Sequence, residues 1–325
     1  MSKKNFGYAQ MEGVKQGMAS EKDWVFSGSS PVASFTGLPT IDLRAELGPN
    51  RLIEYDTIDE IWHCAAAIGS ALVGVKAINW HGMFMANSYL MQLVTQHAAK
   101  VHHMTGGQGT CPAVFVVSMA GKLMGFAGQH SDYEEDTWFA HTPGLKTVVP
   151  STVYDAKGLM ISAIKTQTPV VYLNARTLGG LVDDVPDEPF EVPIGKAAVR
   201  VEGTDITIAG HGPVMPDVLA AAESLEDNDG VSVEVIDIRT LRPMDTETLV
   251  ASARKTGRFM TAEHSKYSLG PGAEAVARVA EEVPGVHVTR ISHPDTPPPG
   301  APEMLNYTYP DIDNILAGAR GLLSR

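Results

Sequence analysis

Short β-branched runs separated by helical stretches recur along this chain, and that recurrence limits what it can fold into. Ala113 to Ser118 (Ala-Val-Phe-Val-Val-Ser) is apolar at nearly every position, the pattern of a strand buried on both faces of a parallel sheet. Strands separated by helices pair in parallel through right-handed crossovers. In the first half, Glu60 to Gly74 reads as a helix packed on small residues and closed by Gly74. A strand over Val75 to Ile78, a helix over Ser88 to Val101 and a strand over Lys146 to Val149, ended by Pro150, follow the same rule. Thr152 with Asp155 three residues on resembles a capping box that opens a helix to Ile164. Pro169 to Leu173 supplies one more strand.

Between Gly179 and Pro193 the composition turns to Gly, Pro and acids, the mark of a domain boundary. The alternation then restarts. Strands are expected over Asp205 to Ala209, Val231 to Ile238, Phe259 to Ala262 and Val286 to Ile291. Helices are expected over Val214 to Leu225, Asp245 to Thr256, Gly272 to Val283 and from Tyr309 onward. The fold class is therefore α/β, with two doubly wound domains spanning 1–180 and 196–325 and a linker over 181–195. No internal repeat or low-complexity segment interrupts this plan.

A chain of 325 residues with 44% apolar and 19% charged residues can bury a large core. Its net charge of −13 opposes a nucleic-acid or anionic-membrane partner, which it would repel at long range. No stretch approaches the ~20 apolar residues that span a bilayer. Met1 to Gly7 carries two lysines without an apolar h-region behind them, so a cytoplasmic location is expected. Cys64 and Cys111 are too few for a disulfide framework or a thiolate metal site. Both are expected to be buried and inert.

Several chemistries fail against these residues. Gly210-His211-Gly212 lacks both the G-x-G-x-x-G fingerprint and a P-loop lysine, so it reads as a tight turn. His102-His103 lacks the spacing that places two metal ligands on one helical face. No G-x-S-x-G elbow is present. Two groups remain, a carboxylate at Glu60 and a histidine at His130, each placed where a parallel sheet ends. Glu60 is either an acid favoured by the helix dipole or a buried carboxylate that binds a heterocycle. His130 is either an ordinary loop residue or a catalytic one.

Glu60 with Ala66-Ala67-Ile68-Gly69, Ala98-Ala99-Lys100 with Gly106-Gly107, Gln129-His130-Ser131 and the run Trp138 to Gly158 resemble the β subunit of thiamine-diphosphate-dependent 2-oxo acid dehydrogenases. Val192 to Ala197, Ile236 to Asp245 and Asp295-Thr296-Pro297 extend the likeness, which covers nearly the whole chain from about residue 50. The resemblance implies a pyrimidine-binding domain followed by a transketolase C-terminal-type domain, with an active site shared with an α subunit in an α2β2 heterotetramer. It implies that Glu60 hydrogen-bonds the aminopyrimidine of the cofactor and so activates it, and that His130 stabilises charge or moves protons. The reaction implied is decarboxylation of a 2-oxo acid, with the acyl group passed to a lipoyl acyltransferase. The Gly-Asp-Gly motif that holds the diphosphate and its Mg2+ is absent from this sequence, so the α subunit is expected to supply it. No metal ligand is assigned to this chain.

The sequence departs from the family in five places. Phe26 to Pro31 stands where a Gly-Glu-Asp is usual, and Ile61-Trp62-His63 follows the glutamate where the family keeps small residues. The aromatic position that packs on the pyrimidine falls at Ala86, with Phe84 the substitute two residues away. Ser118 to Gly125 replaces an Arg-Gly-Pro opening, and the potassium site of some members, near Ala163 to Thr166, is not carried over. Two alternatives follow: a silent assembly subunit whose pocket Trp62 fills, and a transketolase-type enzyme split over two chains.

Overall fold

The computed structural model describes residues 1–21, 23–28, 41–54, 60–80, 90–119, 121 and 135–325. They divide into two compact units, Met1–Met119 with Trp138–Ile194, and Ala120–Thr137 with Gly195–Arg325.

The first unit opens with β1 (Ser2–Asn5) and α1 (Phe6–Ser20), followed by β2 (Trp24–Gly28), α2 (Leu43–Leu47), β3 (Leu52–Glu54), α3 (Glu60–Leu72) and β4 (Lys76–Trp80). Then come α4 (Val101–Met104), β5 (Ala113–Met119), α5 (Glu135–Ala140), β6 (Lys146–Val148), α6 (Val153–Lys165), β7 (Val170–Ala175) and β8 (Val182–Val185). Its main strands stand in the order β6-β7-β5-β4-β2-β3, each pair parallel. β5 is buried at all seven positions, as its unbroken apolar run requires, and Val116 sits between Trp80 and Tyr172 in register. β1 pairs antiparallel with β8 in a separate ribbon.

Thr152 caps α6 as expected: its hydroxyl accepts from the Asp155 amide at 3.1 Å and donates to the Asp155 carboxylate at 2.8 Å. α1 lies against α6, with Val14 and Met18 in one core with Met160 and Ile164. The approach is close because Gly13 and Gly17 face it. A Cβ at Gly13 would sit 2.9 Å from the Lys157 carbonyl oxygen. The side chain of Lys157 is fully buried. Its ammonium donates to the carbonyls of Pro186, Asp187 and Glu188 at 2.6, 3.0 and 3.1 Å and pairs with Glu12 at 2.9 Å. The helix expected over Ser88 to Val101 is interrupted in its described part by a π-helical turn, Leu93–Ala98. There the Ala99 amide reaches back to the Val94 carbonyl and the Thr95 hydroxyl donates to the Met91 carbonyl.

The second unit contains β9 (Ala198–Val201), β10 (Ile206–Gly210), α7 (Met215–Asp229), β11 (Val233–Asp237), β12 (Thr240–Arg242), α8 (Thr246–Thr256), β13 (Arg258–Lys266), α9 (Pro271–Glu282), β14 (His287–His293), α10 (Pro302–Thr308) and α11 (Ile312–Leu323). Its five-stranded sheet runs β14-β13-β10-β11-β9, parallel except for β9 at the edge. Gly230 and Gly257 end α7 and α8 with φ of 65° and 68°, a conformation that favours glycine. The helix expected from Tyr309 begins at Ile312 instead, because Asp311 and Asn314 close a capping box there. Among the described residues no helix is long and apolar enough to cross a membrane.

Candidate functional site

Glu60 is the first residue of α3, and its side chain lies outside the described residues, as do Phe84, Ala86 and His130. Their order along the chain relates all four to described strands. α3 is the first helix after β3; Phe84 and Ala86 lie between β4 and the next helical residues; His130 lies between β5 and α5. β3, β4 and β5 point the same way in one parallel sheet, so every one of these connections leaves from its carboxyl edge. That edge is where open α/β sheets bind ligands.

The described part of α3 shows which way its residues turn. Cys64, Ala67, Ile68 and Ala71 are buried, the spacing of one helical face. His63 joins them at 1% exposure, whereas Ile61 and Trp62 are each 50% exposed. The Trp62 indole meets the His63 ring edge-on at 5.8 Å between centroids. Trp62 therefore turns away from the buried face of α3. Cys64 and Cys111 are buried and unbridged, and burial raises both thiols, Cys111 to about 12, which keeps them as unreactive as expected.

Sequence reading missed a row of polar side chains inside the apolar strands. Ser27 lies beside Asn79 in register, and Ser118 beside Asn174, all four buried near the carboxyl ends of β2, β4, β5 and β7. Asn174 accepts from Gln10 Nε2 at 3.0 Å. The Ser27 hydroxyl has no hydrogen-bond partner among the described residues. An unmet buried hydroxyl costs about 1–3 kcal/mol, so its retention at this edge favours a polar ligand there. The signal was available: a serine or asparagine just before each of these runs ends.

A second cluster lies in the second unit. Asp136, His211, Ser265 and Glu263 are all buried, at 0 or 1% exposure. Asp136 Oδ2 accepts from His211 Nε2 at 3.0 Å and from the Ser265 hydroxyl, while Oδ1 accepts from the Thr137 amide at 2.6 Å. Burial works against a charged imidazole at His211, but the hydrogen bond and charge of Asp136, with Glu263 and Asp237 behind it, outweigh burial and raise its pKa. Burial pushes Glu263 up to about 7, although it accepts from the Gly272 amide at 2.7 Å and the Ser292 hydroxyl at 3.1 Å. Gly212 turns with φ of 63° just after His211, so Gly210-His211-Gly212 is a tight turn, as expected. The acid–histidine pairing was not legible, because 75 residues separate its members.

Residues 12–180 match the family described as transketolase, pyrimidine binding domain, and residues 195–315 the transketolase, C-terminal domain. A solved chain titled "Split gene transketolase, inactive beta4 tetramer" superposes with a TM-score of 0.78 over 97% of each chain. At 22% identity it supports the fold alone. Two transketolase-type α/β domains in tandem thus place this chain in the thiamine-diphosphate enzyme class. The mitochondrial pyruvate dehydrogenase E1 component subunit beta of Saccharomyces cerevisiae is 34% identical over 329 residues, spanning 96% of this chain and 88% of its own length. The Homo sapiens counterpart is 35% identical over 332 residues (96% and 90%), and that of Rhizobium meliloti 33% over 323 (96% and 69%). The chain belongs to the family of 2-oxo acid dehydrogenase E1 beta subunits, which depends on thiamine diphosphate.

Proposed function

We propose that this chain is the β half of an α2β2 enzyme that decarboxylates a small 2-oxo acid, with pyruvate the first candidate. The observation that carries this reading is the common origin of the connections bearing Glu60, Phe84, Ala86 and His130 at one carboxyl edge, beside the unmet hydroxyl of Ser27. A carboxylate, an aromatic ring and a lone hydroxyl suit an aminopyrimidine, a flat heterocycle with ring nitrogens to bond. Thiamine diphosphate, when bound, supplies the acidic carbon and the electron sink for loss of carbon dioxide.

In this reading Glu60 hydrogen-bonds a ring nitrogen and sets the proton state of the pyrimidine. Phe84, two residues before Ala86, substitutes for the aromatic residue that packs on the ring. His130 neutralises charge or moves protons at the reacting carbonyl. The missing Gly-Asp-Gly motif assigns the diphosphate and Mg2+ to the α subunit. A lipoyl acyltransferase as acyl acceptor and a cytoplasmic setting belong to the same proposal; the relatives include bacterial proteins and proteins named as mitochondrial. The domain limits 1–180 and 196–325, with the linker between, are our division for this function.

The test is Glu60→Gln in the reconstituted α/β enzyme. Turnover of 2-oxo acids is expected to be abolished while the heterotetramer still assembles. Undiminished turnover would remove Glu60 from the mechanism.

A further inference from the structure

We infer that the exposed face of α3 seats the α subunit, and that Ile61 and Trp62 set which α subunit it accepts; the inference rests on the reading of Glu60 given above. From Ile61 to Val75 the sequence has no Asp, Glu, Lys or Arg. α3 therefore has no charged face to turn to water. Its buried side is formed by His63, Cys64, Ala67, Ile68 and Ala71. At about 100° per residue, Ile61, Trp62, Ala65, Gly69, Leu72 and Val73 share the opposite side. All of these are exposed, Val73 to 80% and Leu72 to 49%. A helix that is apolar all round is normally buried, and exposed apolar surface of this kind marks an interaction site.

The face is a saddle. Ile61 and Trp62 stand at its first turn and Leu72 and Val73 at its last, with Ala65 and Gly69 between them. A Cβ at Gly69 would meet nothing within 4 Å, so the space above the waist is open. Small residues one turn apart let a second helix approach closely, while the larger side chains fix where it lies. A bilayer is not the occupant, because helices that lie on membranes carry a charged face and α3 has none. The face measures about 20 Å by about 10 Å, on the order of 200 Å². A stable complex buries about 800 Å² on each partner, so the occupant must also be held elsewhere. The α subunit meets that condition. Glu60, read above as bonding the cofactor, is the first residue of α3, and the diphosphate of the same cofactor falls to the α subunit because this chain lacks Gly-Asp-Gly. A partner sharing that cofactor therefore arrives at the first turn of α3. Where the family keeps small residues, this turn presents Ile61 and Trp62. The α subunit that fits offers an apolar helix to the waist and a recess to the indole.

Gly69→Leu separates an interface from a structural role. Its side chain enters open space and favours the helix, so the isolated full-length chain should keep or raise its melting temperature. Mixed with the α subunit, it should form the heterotetramer about a hundredfold less tightly, read from the midpoint concentration in analytical ultracentrifugation. Trp62→Ala, at a half-exposed position, should weaken assembly about thirtyfold. Assembly of both variants at wild-type concentrations would overturn the inference. If they dissolve only an oligomer of the isolated chain and leave α binding intact, a second copy occupies the face and the α assignment is overturned. Glu60→Gln, measured alongside, should assemble like the wild type and lose turnover. If it turns over at the full rate, the reading of Glu60 fails, and lost assembly in Gly69→Leu would still support the face as the seat of the α subunit.

Discussion

Glu263 makes the stability of this chain depend on pH in a direction opposite to that of most carboxylates. Its pKa rises from an ordinary 4.5 to about 7, chiefly because burial disfavours the charged form. The folded chain therefore holds the proton more tightly than the unfolded chain. The associated stability is complete below the unfolded value and is lost as pH climbs from about 4.5 to about 7, after which it stays flat. At 1.36 kcal/mol per pKa unit the full span is about 3 kcal/mol, of which about 2 kcal/mol falls between pH ~5.5 and ~8. Glu263→Gln isolates this effect, since a neutral amide can accept from Gly272 N through its oxygen and meet the Ser292 hydroxyl through its nitrogen. Urea unfolding followed by far-ultraviolet circular dichroism at the two pH values should show the wild type losing about 2 kcal/mol more than Glu263→Gln. Parallel pH curves for the two proteins would refute the argument. The raised pKa of His211 acts in the same sense, its contribution present below the ordinary imidazole value and lost as pH rises through the raised one.

Lys157→Met removes the buried ammonium that ties Pro186, Asp187 and Glu188 to α6, leaving the Glu188 carbonyl unmet, while Glu12 and the Pro186 carbonyl keep Lys4 and the Asp187 carbonyl keeps Gln16. A loss of about 3 kcal/mol is expected, together with new protease cleavage near these residues, which limited digestion read by mass spectrometry would detect. Gly144 has φ of 93°, and a Cβ there would lie 2.2 Å from the Ala99 carbonyl oxygen. Gly144→Ala should therefore cost about 3 kcal/mol or prevent folding, whereas Gly106→Ala, at φ of 61° in open space, should cost about 1 kcal/mol by thermal denaturation.

The parts of the fold legible in sequence were those whose residues state their own environment. β5 announced burial on both faces, Thr152 and Asp155 marked the start of α6, and Gly257 marked the end of α8. α1 gave no comparable signal. Two of its glycines, Gly13 and Gly17, are what allow it to touch α6. That is a tertiary reason, invisible in local pattern. At the site, the pattern of small residues was enough to put Glu60 at the head of its helix, whereas the role expected of it came from the resemblance alone. The Ser27–Asn79 row and the Asp136–His211 pair stayed hidden because a buried polar residue looks like any other until its neighbours in space are known.

The ribbon of β1 and β8 sets a schedule for the growing chain. Ser2 pairs with Val185 and Asn5 with Val182, and the Phe6 amide donates to the Leu181 carbonyl at 3.0 Å. As the chain emerges from the ribosome, its first strand has no partner until some 180 residues have followed, at about 5–20 residues per second. For roughly ten seconds or more, β1 is an unpaired strand in a crowded cell, with Phe6 still waiting for the cluster it later shares with Ala156, Leu178 and Val185. β1 is thus among the last parts of the first unit to be finished, and chaperone demand during synthesis should rise with the exposure of this strand.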